Sequence, residues 1–296
     1  MRLSRREFLK LASAFGLTAA LPEALISKAM AGNGLPSVVW LQGLSCSGCS
    51  VSLLNSVNLT TVDDLLVNRI NLDYHSTLIA AAGDVALSDI AKQGYILVVE
   101  GAIPFKDSGK YCYVGGEMTM LEAFDRFSAS ANQVIAVGTC ACFGGVAKAR
   151  PNPTGAQSVQ ATLTALNRNL PLTNIPGCPI HPDWLVGTLL YLLAGQNVTV
   201  DTLKRPMMYF SETVHSQCPL RESEEADIPG QSGCQKEVGC KGPKTRANCP
   251  SLKWNSPGRG QRGVNWCVQA RTPCHGCTEP IFPDGMTPFI HAESDD

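Results

Sequence analysis

The chain has 296 residues, enough for one large domain or two modest ones that each bury their own core. Hydrophobic residues make up 44% of it and charged residues 17%, a balance that excludes a disordered chain and a bundle of membrane helices. The net charge is -1 and no basic stripe with interleaved aromatic residues occurs, so nucleic acid is excluded as an expected partner.

The first 31 residues are predicted to be an export signal. Arg2, Arg5 and Arg6 precede an apolar run at 11–21, and residues 29–31 form a small-residue cleavage site. The apolar run is too short to span a bilayer, and SRREFLK has the twin-arginine pattern, a route used by proteins that acquire cofactors before export. We therefore expect a periplasmic protein. No later segment reaches eighteen consecutive apolar residues, so no transmembrane anchor is predicted.

From Ser37 onward, short apolar runs alternate with longer amphipathic stretches, which indicates an α/β fold. Compact runs rich in Val and Ile are predicted as buried parallel strands at Ser37–Leu41, Tyr95–Glu100 and Gln133–Val137. Helices are predicted at Val51–Asn58, Val85–Lys92, Met118–Phe127, Ser158–Asn167 and Pro182–Leu193.

The composition changes near Asp201, where Gly, Pro, Ser and Cys replace Val, Leu and Ala. We therefore predict two domains after the signal, at 32–200 and 201–296. Apolar residues are too sparse in the second domain for an ordinary core. Covalent or metal cross-links are expected to help hold it together.

Cysteine is the outlier of the composition, with thirteen residues. In an exported protein a disulfide framework is the ordinary interpretation, but the spacings favour metal centres. A first set comprises Cys46, Cys49, Cys140 and Cys178. Cys46 and Cys49 form a C-x-x-C pair that follows the first predicted strand. Cys140, in GTC, follows the third predicted strand, and Cys178 lies in PGCP. Because loops at the carboxyl ends of parallel strands converge, these four thiolates are expected to meet.

Four thiolates bind either zinc or a 4Fe-4S cluster, and one close pair plus two separated cysteines favours the cluster. A thioredoxin-like redox pair is the alternative for an isolated C-x-x-C, but it explains neither GTC nor PGCP. A second set has three thiolates and one imidazole: His215, Cys218, Cys234 and Cys240. By chemistry alone, the second set is either a Cys3His zinc site or a cluster with one histidine ligand.

A third set of four thiolates consists of Cys249, Cys267, Cys274 and Cys277. Cys112 and Cys142 stay unassigned and are interpreted as ordinary buried thiols. Twelve ligands without an acid-base or nucleophilic group beside them indicate an electron-transfer chain. Two polar residues lie near the first set. Glu100 ends a central strand, for which a structural role is favoured over a proton-relay role, and His181 opens a helix as a capping or packing residue.

Nine motifs then point to one family: SRREFLK, LSCSGCS, VEGAIP, GTCACFGG, PGCPIHPDW, HSQCP, GCKGP, NCP and CHGCTEP. In this order they resemble the blocks of the small, electron-transferring subunit of nickel-iron hydrogenases. The resemblance implies a flavodoxin-like N-terminal domain, an irregular C-terminal domain that binds clusters, and a large partner subunit with the Ni-Fe centre. It also implies a proximal cluster on the first set, a distal cluster on the second, and a medial cluster on Cys249, Cys274 and Cys277.

Most of the family has proline directly after the tryptophan that corresponds to Trp266, and a medial 3Fe-4S cluster on three cysteines. Cys267 occupies that proline position in this chain. A fourth thiolate predicts three 4Fe-4S clusters, whereas the medial cluster is 3Fe-4S if Cys267 is not a ligand. With VNWCVQ and FPDGMTPF, this feature resembles the nickel-iron-selenium branch. Oxygen-tolerant relatives carry two additional proximal cysteines, and Gly48 and Gly145 occupy those positions here. Their special proximal cluster is therefore not predicted.

We expect an H2-oxidising or H2-evolving heterodimer in which this chain carries electrons to or from a soluble multihaem cytochrome c. Two alternatives stay open. A stand-alone ferredoxin-like carrier would be disfavoured by an apolar docking face around Cys46 and Cys49. A zinc- or disulfide-stabilised secreted binding protein would be colourless.

Overall fold

A parallel sheet of five strands forms the centre of the computed structural model, which describes residues 35–81, 83–88, 90 and 93–290. Its strands are β1 Ser37–Gln42, β2 Asn71–His75, β3 Tyr95–Glu100, β4 Ala131–Val137 and β5 Leu172–Ile175. Their order in the sheet is β2-β1-β3-β4-β5, and every neighbouring pair is parallel. This is the flavodoxin-like order, so the predicted α/β fold class is confirmed. The predicted export signal lies outside the described residues.

The sequence located the central strands but missed the edges of the sheet. The predicted bounds of β3 are correct, β1 ends one residue later than predicted, and β4 begins two residues earlier. The edge strands β2 and β5 were not predicted. Both are short and contain polar residues, because an edge strand is less enclosed than a central one and needs fewer apolar side chains.

The helices cover both faces of the sheet. They span Gly48–Leu54, Val62–Asp64, Gly83–Ser88, Met120–Ser128, Gly138–Phe143, Gly145–Lys148, Val159–Ala165, Pro182–Leu193, Met207–Phe210 and Cys249–Leu252. A π-helical turn spans Leu65–Arg69, and 3-10 turns span Lys106–Gly109, Gly242–Lys244 and Asp284–Met286. Short antiparallel strands pair Ile103–Pro104 with Ala156–Gln157, and Tyr113–Gly115 with Met118–Thr119. In the part of the chain that the structure describes, no helix is long and apolar enough to cross a bilayer.

The helix starts follow local capping chemistry. Pro182–Leu193 has the predicted bounds, and the predicted capping role of His181 is confirmed because its Nδ1 accepts the backbone N–H of Asp183 at 3.1 Å. The helix predicted from Met118 begins two residues later, since Thr119 and Glu122 form a capping box. The other three predictions were shifted or too long. Gly48–Leu54 begins and ends earlier than predicted, Gly83–Ser88 begins two residues earlier, and Val159–Ala165 is shorter at both ends.

Alternate residues of β1 enter two buried clusters, one on each face of the sheet. Val39 and Leu41 join the cluster that contains Phe124, whereas Trp40 joins the cluster that contains Trp184. The C-terminal part contributes Phe210, Leu252 and Trp266, among others, to the Trp184 cluster. The irregular loops after residue 201 are therefore anchored on one face of the sheet, and the division into two domains stays a prediction.

Arg205 is a buried cation that connects the end of the sheet region to the C-terminal loops. It is 3% exposed, and its Nε donates to Asp201 Oδ2 at 2.8 Å while its Nη1 donates to Glu279 Oε1 at 2.9 Å. The same Glu279 oxygen accepts the backbone N–H of Arg246 at 2.7 Å. One ion network thus fixes the loop that follows the last cysteine, Cys277.

The Arg205→Ala variant is expected to lose about 3 kcal/mol of stability, because Glu279 and Asp201 keep their charges without the cation that compensates them. The thermal midpoint of the purified complex measures this loss. Lys110→Ala is the matched control, since its ion pair with Asp107 is exposed and is expected to contribute little to stability. Equal midpoints for the two variants would contradict the prediction.

Candidate metal centres

All thirteen cysteines lie in the described part of the chain, and each is a free thiol. The disulfide framework considered from the sequence is therefore not what the cysteines form in this structure. Free thiols are what metal ligation requires, because the thiolate is the metal ligand.

The first set lies at the carboxyl ends of β1 and β4 and in the loop after β5. Gly138, directly after β4, has φ of 81°, and a Cβ there would stand 2.6 Å from Sγ of Cys49, so only glycine allows this approach. Burial, together with the nearby thiols of Cys140 and Cys46, raises the pKa of Cys178 to about 11. All four predicted ligands of the first set are thus near neighbours.

Glu100, at the end of β3, is a buried carboxylate that organises the loop of the first C-x-x-C pair. It accepts the backbone N–H of Cys49 at 3.0 Å and the hydroxyl of Ser50 at 2.5 Å. The side chains of Trp40 and Ser45 donate to it at 3.2 and 3.0 Å. These donors offset the cost of burying the carboxylate and hold the loop in place, which agrees with the structural role expected for it.

His75 is a residue that sequence reasoning missed. It is fully buried, its Nδ1 accepts the backbone N–H of Thr77 at 3.2 Å, and its Nε2 therefore donates to the Ser50 hydroxyl at 3.1 Å. Burial lowers the pKa of His75 to about 4, although Glu100 acts to raise it, so the imidazole is neutral at neutral pH. It connects β2 to Ser50 and Glu100. Its only sequence signal is its place at the end of NLDYH, a run too polar to be predicted as a strand.

The second set surrounds a cavity of about 60 Å³. Its lining includes all four predicted ligands: His215, Cys218, Cys234 and Cys240. Two of the cysteines, Cys218 and Cys234, are each 9% exposed, whereas His215 is exposed. The second set therefore presents three thiols and one imidazole around one space, with the imidazole towards solvent.

The third set includes Cys267, the residue that departs from most of the family. Burial raises the pKa of Cys249, and the thiols of Cys277, Cys274 and Cys267 raise it further. Burial also raises the pKa of Cys274 to about 12, with Cys240 and Cys267 adding to the shift. Cys267 thus lies beside the other three cysteines. At neutral pH such thiols are protonated unless a metal displaces the proton.

Two backbone groups connect successive sets. The N–H of Cys178, in the first set, lies close enough to the sulfur of Cys277, in the third, to act to lower the pKa of that thiol. The N–H of Cys274, in the third set, donates to the sulfur of Cys240 in the second at 3.4 Å. Thr139 adds a second connection, since its hydroxyl donates to the carbonyl of Cys277. The spatial order is therefore first, third, second.

A zinc site and a cubane cluster require different spacings of their ligand atoms. Among the described residues, no three histidine, cysteine or acidic side chains converge closely enough to hold one metal ion. A Cys3His zinc site needs every ligand atom at about 2.0–2.3 Å from the same ion. A cubane cluster instead gives each ligand its own iron, so its ligands stand farther apart.

A backbone N–H group acts on the sulfur of a predicted ligand in each set. The N–H groups of Ile180, Leu220 and Gly276 act to lower the pKa values of Cys49, Cys218 and Cys274, respectively. Metal-bound thiolates carry negative charge and accept hydrogen bonds, which tune the reduction potential of iron-sulfur centres. The residues present therefore fit iron-sulfur clusters.

The two unassigned cysteines pack in the core on the opposite face of the sheet. Cys142 is 1% exposed and its thiol donates to the carbonyl of Ala136 at 3.3 Å. Cys112 is partly buried and packs against the same apolar cluster. Both therefore have the surroundings of ordinary buried thiols.

Known proteins share both sequence and fold with this chain. Residues 46–192 match the family described as NADH ubiquinone oxidoreductase, 20 Kd subunit, and residues 210–290 match the C-terminal family of the NiFe/NiFeSe hydrogenase small subunit. The chain is 38% identical to the periplasmic [NiFeSe] hydrogenase small subunit of Desulfomicrobium baculatum, over 99% of this chain and 100% of the relative. It belongs to the small-subunit family of NiFe and NiFeSe hydrogenases.

This hydrogenase small subunit is also 40% identical to the periplasmic [NiFe] hydrogenase small subunit 1 of Nitratidesulfovibrio vulgaris, over 98% of this chain and 94% of that one. Its fold matches a solved [NiFeSe]-hydrogenase of Dm. baculatum with a TM-score of 0.81 at 37% identity, covering 88% of this chain and 100% of that chain. A recombinant [NiFeSe] hydrogenase from Desulfovibrio vulgaris Hildenborough gives a TM-score of 0.80 at 39% identity, covering 89% and 99%.

The resemblance found in the sequence is thereby confirmed. The protein is one half of an oxidoreductase heterodimer that acts on H2, and it pairs with the large hydrogenase subunit. Membership of this family implies iron-sulfur clusters in this chain and a Ni-Fe centre in the partner.

Proposed function

We propose that this small subunit relays electrons between the Ni-Fe centre of the large subunit, where H2 is split into two protons and two electrons, and an external multihaem cytochrome c. Three 4Fe-4S clusters, held by the three sets of four ligands, supply the one-electron redox chemistry when bound. The observation that carries the proposal is that hydrogen bonds connect the three sets into one row, from Thr139, beside Cys140, to the carbonyl of Cys277, and from the N–H of Cys274 to the sulfur of Cys240.

The first set faces the partner in this proposal. Cys46 and Cys178 are exposed in the isolated chain, and the helix that contains Cys49 presents Val51 and Leu54, which are 57% and 43% exposed. Apolar side chains beside ligand cysteines form the docking face that a stand-alone ferredoxin-like carrier would lack. The large subunit therefore covers this end of the row.

The second set is the end where electrons leave or enter. Its imidazole ligand, His215, is exposed, and replacing a thiolate by a neutral imidazole raises the potential of a cluster. Exposed ion pairs surround it, among them Arg221 with Glu222 and Lys236 with Glu225. A charged rim of this kind suits a transient electron-transfer partner, because it speeds encounter without holding the complex together.

The third set takes the medial position. Cys267 is assigned as its fourth ligand, which keeps all four irons in the medial cluster. The export signal is proposed to direct the folded subunit to the periplasm by the twin-arginine route. The relatives from Desulfomicrobium baculatum and Nitratidesulfovibrio vulgaris are both described as periplasmic, which supports this location.

The deciding measurement is the iron, nickel and selenium content of the natively purified complex, with EPR after mild oxidation. We expect a coloured heterodimer with about twelve cluster irons per nickel, since each 4Fe-4S cluster holds four. A colourless or zinc-containing protein would contradict the proposal. A strong 3Fe-4S signal from the intact complex would contradict the role of Cys267 alone.

A further inference from the structure

Trp266 carries a polar group that the polypeptide leaves without a partner. The residue is 3% exposed, and its indole Nε1 is buried with no hydrogen-bond acceptor among the described residues. Burying an N–H without an acceptor costs about 1–3 kcal/mol, so such groups are rare in native proteins. The group that accepts a hydrogen bond from this N–H is therefore expected to belong to the ligand of the neighbouring site.

The neighbouring site is the cavity of the second set. Trp266 lines the same cavity of about 60 Å³ as His215, Cys218 and Cys234. No carboxylate is part of the lining. The amide oxygen of Gln235, the other buried polar atom of the lining without a partner, forms no hydrogen bond with the indole. Sulfur is thus the acceptor that the surroundings offer.

A second tryptophan of this chain lies beside a proposed cluster ligand. The indole of Trp254 acts on the sulfur of Cys249, in the third set, as a hydrogen-bond donor that lowers the pKa of this thiol. The local chemistry of the two residues is similar, because each indole is packed against a set of proposed cluster ligands. An indole N–H directed at a cluster sulfur therefore has a precedent within the same chain.

We propose that the indole N–H of Trp266 donates a hydrogen bond to a sulfur of the distal cluster and so raises the reduction potential of that cluster. The proposal rests on the proposed function, because it needs a cluster on the second set. Reduction adds negative charge to the cluster and its sulfurs, so an N–H donor stabilises the reduced state more than the oxidised state. Trp266 binds no iron; it acts through the cluster that the four ligands hold.

The test is Trp266→Phe in the intact heterodimer, which keeps a large aromatic ring and removes the N–H. The distal potential is measured by redox titration followed by EPR. We expect it to fall by about 40 mV, which corresponds to a fivefold change in the reduction equilibrium of a one-electron couple, with the proximal potential unchanged. Trp254→Phe is the matched control, and it should lower the medial potential and leave the distal one unchanged.

Two different results would contradict the proposed function and the role of Trp266. A wild-type complex without a distal cluster signal overturns the proposed function. A wild-type signal that Trp266→Phe leaves at the same potential overturns the role of Trp266 alone.

If the heterodimer with Trp266→Phe does not assemble, the hydrogen bond from Trp266 is tested in the wild-type complex. Tryptophan labelled with 15N in the indole ring is incorporated, and the sample is poised so that only the distal cluster is paramagnetic. A hyperfine coupling to the indole nitrogen in pulsed EPR is the expected result. Its absence at that poise overturns the proposal.

Discussion

A heterodimer with Cys267→Pro is expected to show the EPR signal of an oxidised 3Fe-4S cluster that the wild-type complex lacks. The substitution removes the fourth thiolate of the third set and restores the residue that most of the family has at this position. Without that ligand the iron it binds is no longer held, so the cluster content falls by about one iron per complex. The medial potential is expected to rise, because a negatively charged ligand is lost.

The control for this variant is Cys112→Ser, which removes a thiol that packs in the core on the other face of the sheet. Its iron content and EPR spectrum should equal those of the wild type. The role of Cys267 is refuted if Cys267→Pro retains full iron and gives no new signal. A wild-type spectrum that already contains the 3Fe-4S signal refutes it equally.

The Cys234→Ala variant is expected to separate the two halves of the reaction. Cys234 is a ligand of the proposed distal cluster and lies far along the row from the first set, which faces the large subunit in the proposed assembly. Since changes around a metal site typically cost 10- to 100-fold, removing a ligand should reduce H2-driven cytochrome reduction on the order of 100-fold. Exchange between H2 and deuterated water needs only the large subunit, so it should persist.

Ser223→Ala is the control, because its side chain is exposed and, among the described residues, forms a hydrogen bond only with the carbonyl of Leu220, at 2.7 Å. It should leave both activities unchanged. Equal loss of exchange and cytochrome reduction in Cys234→Ala would indicate a structural defect rather than a broken electron path. Undiminished cytochrome reduction would show that electrons leave the protein at a site other than the second set.

The parts of the fold that were predictable are those where the local sequence alone decides the structure. Tyr95–Glu100 is buried along its whole length, so a continuous apolar run marks it. Pro182–Leu193 carries its own start signal in the histidine cap and the proline that follows. The edge strand Asn71–His75 carries no such signal, because its pairing with β1 is decided by the tertiary fold.

The same distinction applies to the metal centres. A short spacing, such as that between Cys274 and Cys277, predicts that two cysteines belong to the same ligand group, because the loop between them keeps their thiols close together. The hydrogen bond from Cys274 to Cys240 joins residues 34 positions apart, so no sequence pattern indicates it. The indole N–H of Trp266, which has no partner among the described residues, could not be predicted from the sequence either, because a tryptophan in a loop is usually a packing residue.

The contacts between successive sets have a consequence for maturation if the three sets bind the proposed clusters. Cys274 would give its sulfur to the medial centre, and its backbone N–H donates to the sulfur of Cys240 in the second set. Loading one centre would therefore fix part of the backbone on which the neighbouring centre is built, as expected where metal binding and folding are coupled. The C-terminal half would then mature as a cooperative unit, and a chain that lacks one centre would carry a loosened neighbour as well. If the export signal predicted from the sequence carries the folded chain across the membrane, one quality check on the folded chain would report on all three proposed centres.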